Sequence, residues 1–171
     1  MRLWLRLALA ALVHGLAAPA GAAQGGDEAA LKAAFVYRFA QFTQWPPPLK
    51  DFTYCLAGSS DMGEALRSLA ARQHEVSQVR VLTLTQVGQA SACQLLVLSL
   101  LDRQEMLRWQ QALVDAPVLI VADSPEALRS GAVIALAQEP NGLTFRINNT
   151  EAKRRGLTLS SQVLKLAREV R

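Results

Sequence analysis

Cys55, Cys93, His14 and His74 are the side chains in this sequence best suited to nucleophilic or metal chemistry. A thiol or hydroxyl nucleophile needs a base within reach and a third group to orient that base. His14 lies inside an N-terminal apolar run, which leaves His74 as the single imidazole of the remaining chain. A lone imidazole excludes most histidine-built metal centres, and neither cysteine stands in CxxC spacing. A thiol nucleophile would have to be Cys55 or Cys93 served by His74. Two bonded cysteines and a surface histidine after a helix are the simpler reading. A serine nucleophile has no G-x-S-x-G elbow. Gly58-Ser59-Ser60-Asp61-Met62-Gly63 follows a strand and opens a helix, where free N–H groups can hold phosphate. It lacks both G-x-G-x-x-G and the P-loop lysine. Asp61 would repel an anion there, so the segment reads as a turn with a carboxylate cap. Asp102, Glu105, Asp115 and Asp123 show no spacing that pairs them for acid–base work. These residues predict a protein that is not an enzyme and that needs no metal and no cofactor.

The N-terminus sets the compartment. Met1-Arg2-Leu3-Trp4-Leu5-Arg6 is a short positive start, and residues 7–18 are almost wholly apolar. Pro19-Ala20-Gly21-Ala22-Ala23 supplies the small residues of a signal cleavage site. The apolar run is shorter than the roughly 20 residues of a membrane span. Residues 1–23 are therefore expected to be a cleaved signal peptide and 24–171 a single exported domain that does not span the membrane. Loss of Arg2 and Arg6 leaves 16 basic against 14 acidic residues, a net charge of +2. That balance and the lack of a basic stripe with interleaved aromatics argue against nucleic acid. Lys153, Arg154 and Arg155 read as a solvated helix face. In an oxidising compartment an even pair of cysteines favours a disulfide over two free thiols. Closing a loop of about 39 residues would stabilise the fold by about 4 kcal/mol.

The elements that must position these residues follow from periodicity. Residues 28–45 are helical, with Leu31, Phe35, Phe39, Phe42 and Trp45 along one face. Pro46-Pro47-Pro48 stops that helix. Tyr37 and Arg38 lie away from the stripe and, with Trp45 at its end, are the candidate partner contacts. Strands are expected at 51–57, 79–84, 93–98, 117–122 and 133–137, and helices at 62–71 and 102–113, with 86–92 a loop. Ser124 and Pro125 start a short helix. Glu139-Pro140-Asn141-Gly142 turns a hairpin into 143–147. Asn148 with Glu151 caps a helix ending at Gly156, and Ser160 or Ser161 caps a last one. That last helix carries Val163, Leu166, Ala167 and Val170 as its apolar stripe. Together these predict an α/β three-layer sandwich with a largely parallel central sheet plus a C-terminal hairpin and helices.

Four stretches carry a resemblance. They are Leu31 to Tyr37 running on to Phe42 and Trp45-Pro46; Cys55-Leu56-Ala57-Gly58; Cys93 to Ser99 with Pro117 to Asp123; and Gly142 to Asn148 with Gly156 to Ala167. In this order and spacing the chain resembles the YfiR/HmsC-like family of periplasmic proteins over about residues 29–170. The resemblance implies a periplasmic regulator that represses an inner-membrane diguanylate cyclase through its periplasmic sensor region. Repression lowers cyclic-di-GMP and biofilm formation. It also implies an outer-membrane lipoprotein as a further partner, and Cys55–Cys93 as the family disulfide. The chain lacks the second cysteine pair of some members, so redox sensing through that pair is not implied. Leu128 and Ala132 stand where relatives often carry Phe and Gly. The alternatives are a small-molecule-binding module or an accessory protein of another envelope sensor. A homodimer is open in each case.

Overall fold

In the computed structural model the described residues are 21–46, 49, 51–58, 61–72, 78–99 and 102–171. Residues 1–20 of the expected signal, Pro47, Pro48, Ser59, Ser60 and His74 lie outside them. Helix α1 (Gly21–Gln41) ends four residues before the expected Trp45. A residue preceding proline is disfavoured in the helical region, so Trp45 cannot carry the helix into Pro46. The chain instead leaves as β1 (Thr43–Gln44), with the Thr43 hydroxyl donating to the Phe39 carbonyl at 2.7 Å.

β2 (Asp51–Gly58), α2 (Gly63–Ala70) and β3 (Gln78–Leu84) follow. α2 is entered through Met62 with no side-chain cap, so the expected carboxylate cap is absent at that position. A 3-10 segment, Val87–Ala92, replaces the expected loop and leads to β4 (Leu95–Ser99). α3 (Arg103–Ala112) starts at Asp102, whose carboxylate accepts from the Glu105 amide, and runs to β5 (Leu119–Ala122). Pro125–Ser130 forms a 3-10 turn; the Ser124 hydroxyl does not cap it but donates to the Glu126 carboxylate. The hairpin is β6 (Ile134–Glu139) and β7 (Gly142–Ile147), closed by a Pro140-Asn141 turn with Gly142 at φ 122°. α4 (Asn149–Arg154), capped by Asn148, is followed by β8 (Thr158–Leu159), which pairs antiparallel with β1. α5 (Ser161–Leu166) is capped by Ser160. It stops before the expected Val170, because Glu169–Val170 forms β9 on the free rim of β7. Backbone pairing of Arg168 with Phe145 and of Arg171 with Ile147 outcompetes another helical turn there.

The seven-stranded sheet runs β3-β2-β4-β5-β6-β7-β9. Its first five strands are parallel, β7 is antiparallel to β6, and β9 is parallel to β7. Strand residues alternate between faces. Tyr54, Leu56, Leu95, Val97, Leu119 and Val121 pack under α1, α2, α4 and α5. Cys55, Ala57, Leu96, Leu98, Ile120 and Ala122 pack against α3 and the two 3-10 segments. Burial on both faces is why the central strands are continuous apolar runs. The layers are helix, sheet, helix, as the sequence predicts.

Candidate partner-binding surface

Cys55 and Cys93 form a disulfide, with Cα atoms 5.9 Å apart, that ties β2 to the turn before β4. Both are buried, so neither sulfur is available as a nucleophile in this state. The acidic residues are spread over the fold. Asp102 caps α3, Asp115 stands 3.6 Å from Arg154, and Asp123 accepts from the Ser99 hydroxyl at 3.2 Å. Asp123 also faces Lys32, at 3.6 Å, which in turn bonds Glu28. Among the described residues no group of three or more histidine, cysteine or acidic side chains is placed to hold a metal ion. Nor is any helix among them long and apolar enough to cross a membrane.

The basic triplet at the end of α4 is not a uniform solvated face. Arg155 is 4% exposed. Its guanidinium donates to Glu151 at 2.7 Å and to the carbonyls of Leu113, Ala116 and Gly131. Arg154 donates to both oxygens of the same carboxylate and shares Oε1 with Arg155. The i, i+4 step that looks like a surface ion pair thus turns inward and joins α4 to the ends of α3 and the Pro125–Ser130 turn. Burial lowers the basicity of Arg155, partly offset by the charge of Glu151. For Glu151, burial alone would raise the carboxyl; hydrogen bonds from Arg154 and the charge of Arg155 outweigh it and hold the group below its ordinary range.

The aromatic stripe of α1 divides between core and surface. Phe39 is buried, Phe35 and Phe42 are half-buried, and Leu31 is 43% exposed. Ala33, Val36 and Ala40 make the face turned to the sheet. Phe35, Phe39 and Phe145 meet edge to face, with centroids 4.9 to 6.0 Å apart. Leu31, Phe35, Phe42, Phe145, Val163 and Leu166 border an apolar groove of about 320 Å3 between α1 and α5. Leu166 is 73% exposed at its lip. Of the three candidate contacts, Arg38 lines this groove and reaches Gln41 at 3.1 Å. Tyr37 is half-buried against the core outside it. Trp45 follows the C-terminus of α1 by four residues; its indole N–H donates to the Gln94 carbonyl and its ring stands edge-on to Phe52, 5.1 Å away. Of the three, only Arg38 lines the groove. Phe145, Val163 and Leu166 were not singled out as contacts, because an apolar stripe predicts packing equally well.

A family model described as YfiR/HmsC-like matches residues 29–168. No curated protein matches the chain. Among the solved structures that share its fold are two of low identity. One is a conserved domain protein from Vibrio cholerae O1 biovar El Tor, at 15% identity and a TM-score of 0.55, covering 84% of this chain and 60% of that one. The other is the ABC domain in complex with L-Trp from Streptococcus pneumoniae, at 11% identity and a TM-score of 0.56, covering 81% of this chain and 60% of that one. The chain thus spans 60% of each of these structures, and identity this low speaks to fold alone.

Proposed function

The chain belongs to the YfiR/HmsC-like family, and on that premise we propose that it is a periplasmic regulator that represses an inner-membrane diguanylate cyclase by docking on its periplasmic sensor region. Docking lowers cyclic-di-GMP output and biofilm formation. Repression is a population shift: the regulator binds the inactive arrangement of the cyclase more tightly and so enriches it. An outer-membrane lipoprotein that takes up the regulator would relieve the repression. The signal-like N-terminus and the bonded cysteine pair suit an oxidising compartment. The family suggests a regulator of an envelope sensor, not an enzyme.

The observation that carries this reading is the groove between α1 and α5, where Leu31 and Leu166 stay exposed beside the cation of Arg38. Aromatic side chains and arginine are enriched in protein interfaces, and Phe35, Phe42 and Arg38 line this groove. Tyr37 and Trp45 remain proposed contacts of the same partner. The test is cyclic-di-GMP production in membranes that carry the cyclase, with the purified regulator added. The native protein should repress it. Leu166→Glu and Arg38→Glu should raise the concentration needed for repression by about tenfold or more, with an unchanged unfolding midpoint. Full repression by both variants would remove the groove from the mechanism, and none by the native protein would remove the regulator.

A small-molecule site is the second reading, favoured by the groove's volume, which lies at the lower end of ligand pockets. A thermal-shift hit abolished by Phe42→Ala, with no protein captured from membranes, would promote it.

A further inference from the structure

Gln110 of α3 is 2% exposed, yet only half of its amide is used. Its Nε2 donates to the Ala127 carbonyl at 3.3 Å, while Oε1 has no hydrogen-bond partner. The amide cannot turn round to satisfy Oε1, because two acceptor oxygens would then face each other without a proton. The Ala127 carbonyl also receives the Ala132 amide at 3.0 Å, so it does not depend on the glutamine. An apolar side chain of similar length would leave no group unpaired here. A buried acceptor without a donor is rare in folded proteins and calls for a partner from outside the chain. Gln110 stands in the wall of a cavity of about 400 Å3 between the end of α3, the Pro125–Ser130 turn and α4. Small-molecule sites run from roughly 300 to 1,000 Å3. Arg129, Arg154 and Arg155 bring three cations to this wall against one carboxylate, Glu151. Arg154 and Arg155 already share that carboxylate. Arg129 is exposed and forms no ion pair among the described residues. Glu126, which its charge reaches, and Asp115, 3.6 Å from Arg154, lie outside the lining.

We propose that this cavity binds a small polyhydroxy carboxylate, with the carboxylate on Arg129 and a hydroxyl donating to Gln110 Oε1. The surplus of arginines selects an anion. One uncommitted guanidinium matches one planar carboxylate, which it can hold through two parallel hydrogen bonds. Oε1 can only accept, so the ligand must also carry a donor. The same arginines disfavour an ammonium in that role and leave a hydroxyl. A fatty acid supplies no donor for Oε1, and its chain would lie against a wall that is largely polar. None of this lining belongs to the groove between α1 and α5, so the assignment is independent of the regulatory reading.

The test is titration calorimetry of the disulfide-bonded protein with gluconate, hexanoate and sorbitol. The three share a six-carbon chain; hexanoate keeps only the carboxylate and sorbitol only the hydroxyls. Gluconate should bind at least about tenfold more tightly than either. Arg129→Gln changes an exposed side chain; it should weaken gluconate about tenfold and leave the unfolding midpoint unchanged. Gln110→Met should bring gluconate down to the level of hexanoate. Because it leaves no group unpaired, it should not lower the midpoint either. A native protein that takes up no gluconate at millimolar concentration overturns the proposal and leaves Oε1 to water alone. Uptake that neither variant alters overturns it too, because the ligand then sits elsewhere. Tighter binding of glucose 6-phosphate than of gluconate would overturn the carboxylate.

Discussion

Arg155 is the side chain whose environment departs most from its surroundings in sequence. It follows two cations on a short helix, yet its guanidinium satisfies three carbonyls and a carboxylate inside the protein. Arg155→Met leaves Glu151 with Arg154 alone and takes one donor from each of the Leu113, Ala116 and Gly131 carbonyls. The expected cost is about 1–3 kcal/mol, measured by urea unfolding at neutral pH. Arg155→Lys keeps the charge but not the planar fork, and should recover less than half of the loss. Glu151 adds a pH signature. Its folded carboxyl sits below the ordinary value of 4.5, so its stabilisation is complete above that pH and is lost as pH falls through the folded value. Glu151→Gln should therefore cost about 2 kcal/mol at pH 7, and the gap to the native protein should close in strong acid. A gap that persists at low pH would mean the loss is one of packing.

Elements show where local signals met long-range ones. The cap at Asn148 and the stop at Gly156 both follow from local rules, and both form. What those rules leave out is that Gly156, at φ 73°, also packs on Pro46, where an added Cβ would approach the ring to 3.1 Å. Gly156→Ala should thus cost about 1–2 kcal/mol in thermal unfolding, more than the left-handed backbone alone would. The end of α1 and the end of α5 were both expected further along the chain. In each case a two-residue strand intervenes, β1 on β8 and β9 on β7, whose partners lie far away in sequence. Removing Glu169–Arg171 should deprotect Arg146 and the first amides of α4 in hydrogen exchange and lower stability by about 1–2 kcal/mol.

For the whole molecule, the Cys55–Cys93 bond ties β2 to the turn before the neighbouring strand β4 across 38 positions of chain. The chain-entropy model gives it about 4 kcal/mol, a large share of the 5–15 kcal/mol of an ordinary domain. Because the sheet is shared by both cores, the loss should appear as one lowered transition, not as the melting of one layer. Urea unfolding with and without reductant, compared with the Cys55→Ala, Cys93→Ala double variant, measures it. Two separated transitions would show that the layers unfold independently. The layers themselves were legible from the sequence: apolar runs such as Leu95–Leu98 and Leu119–Ala122 announce strands buried on both faces, and the stripes around them announce helices. The cysteine pair was legible too, since an even pair of cysteines is read from composition and order alone. Tertiary structure decided that Arg155 turns inward, that Arg38 but neither Tyr37 nor Trp45 lines the groove, and that the stripe of α1 joins Phe145 and Leu166 there. Periodicity assigns a residue to a face of its own element, but which other element covers that face is set by strand order and register, and neither leaves a local trace in the chain.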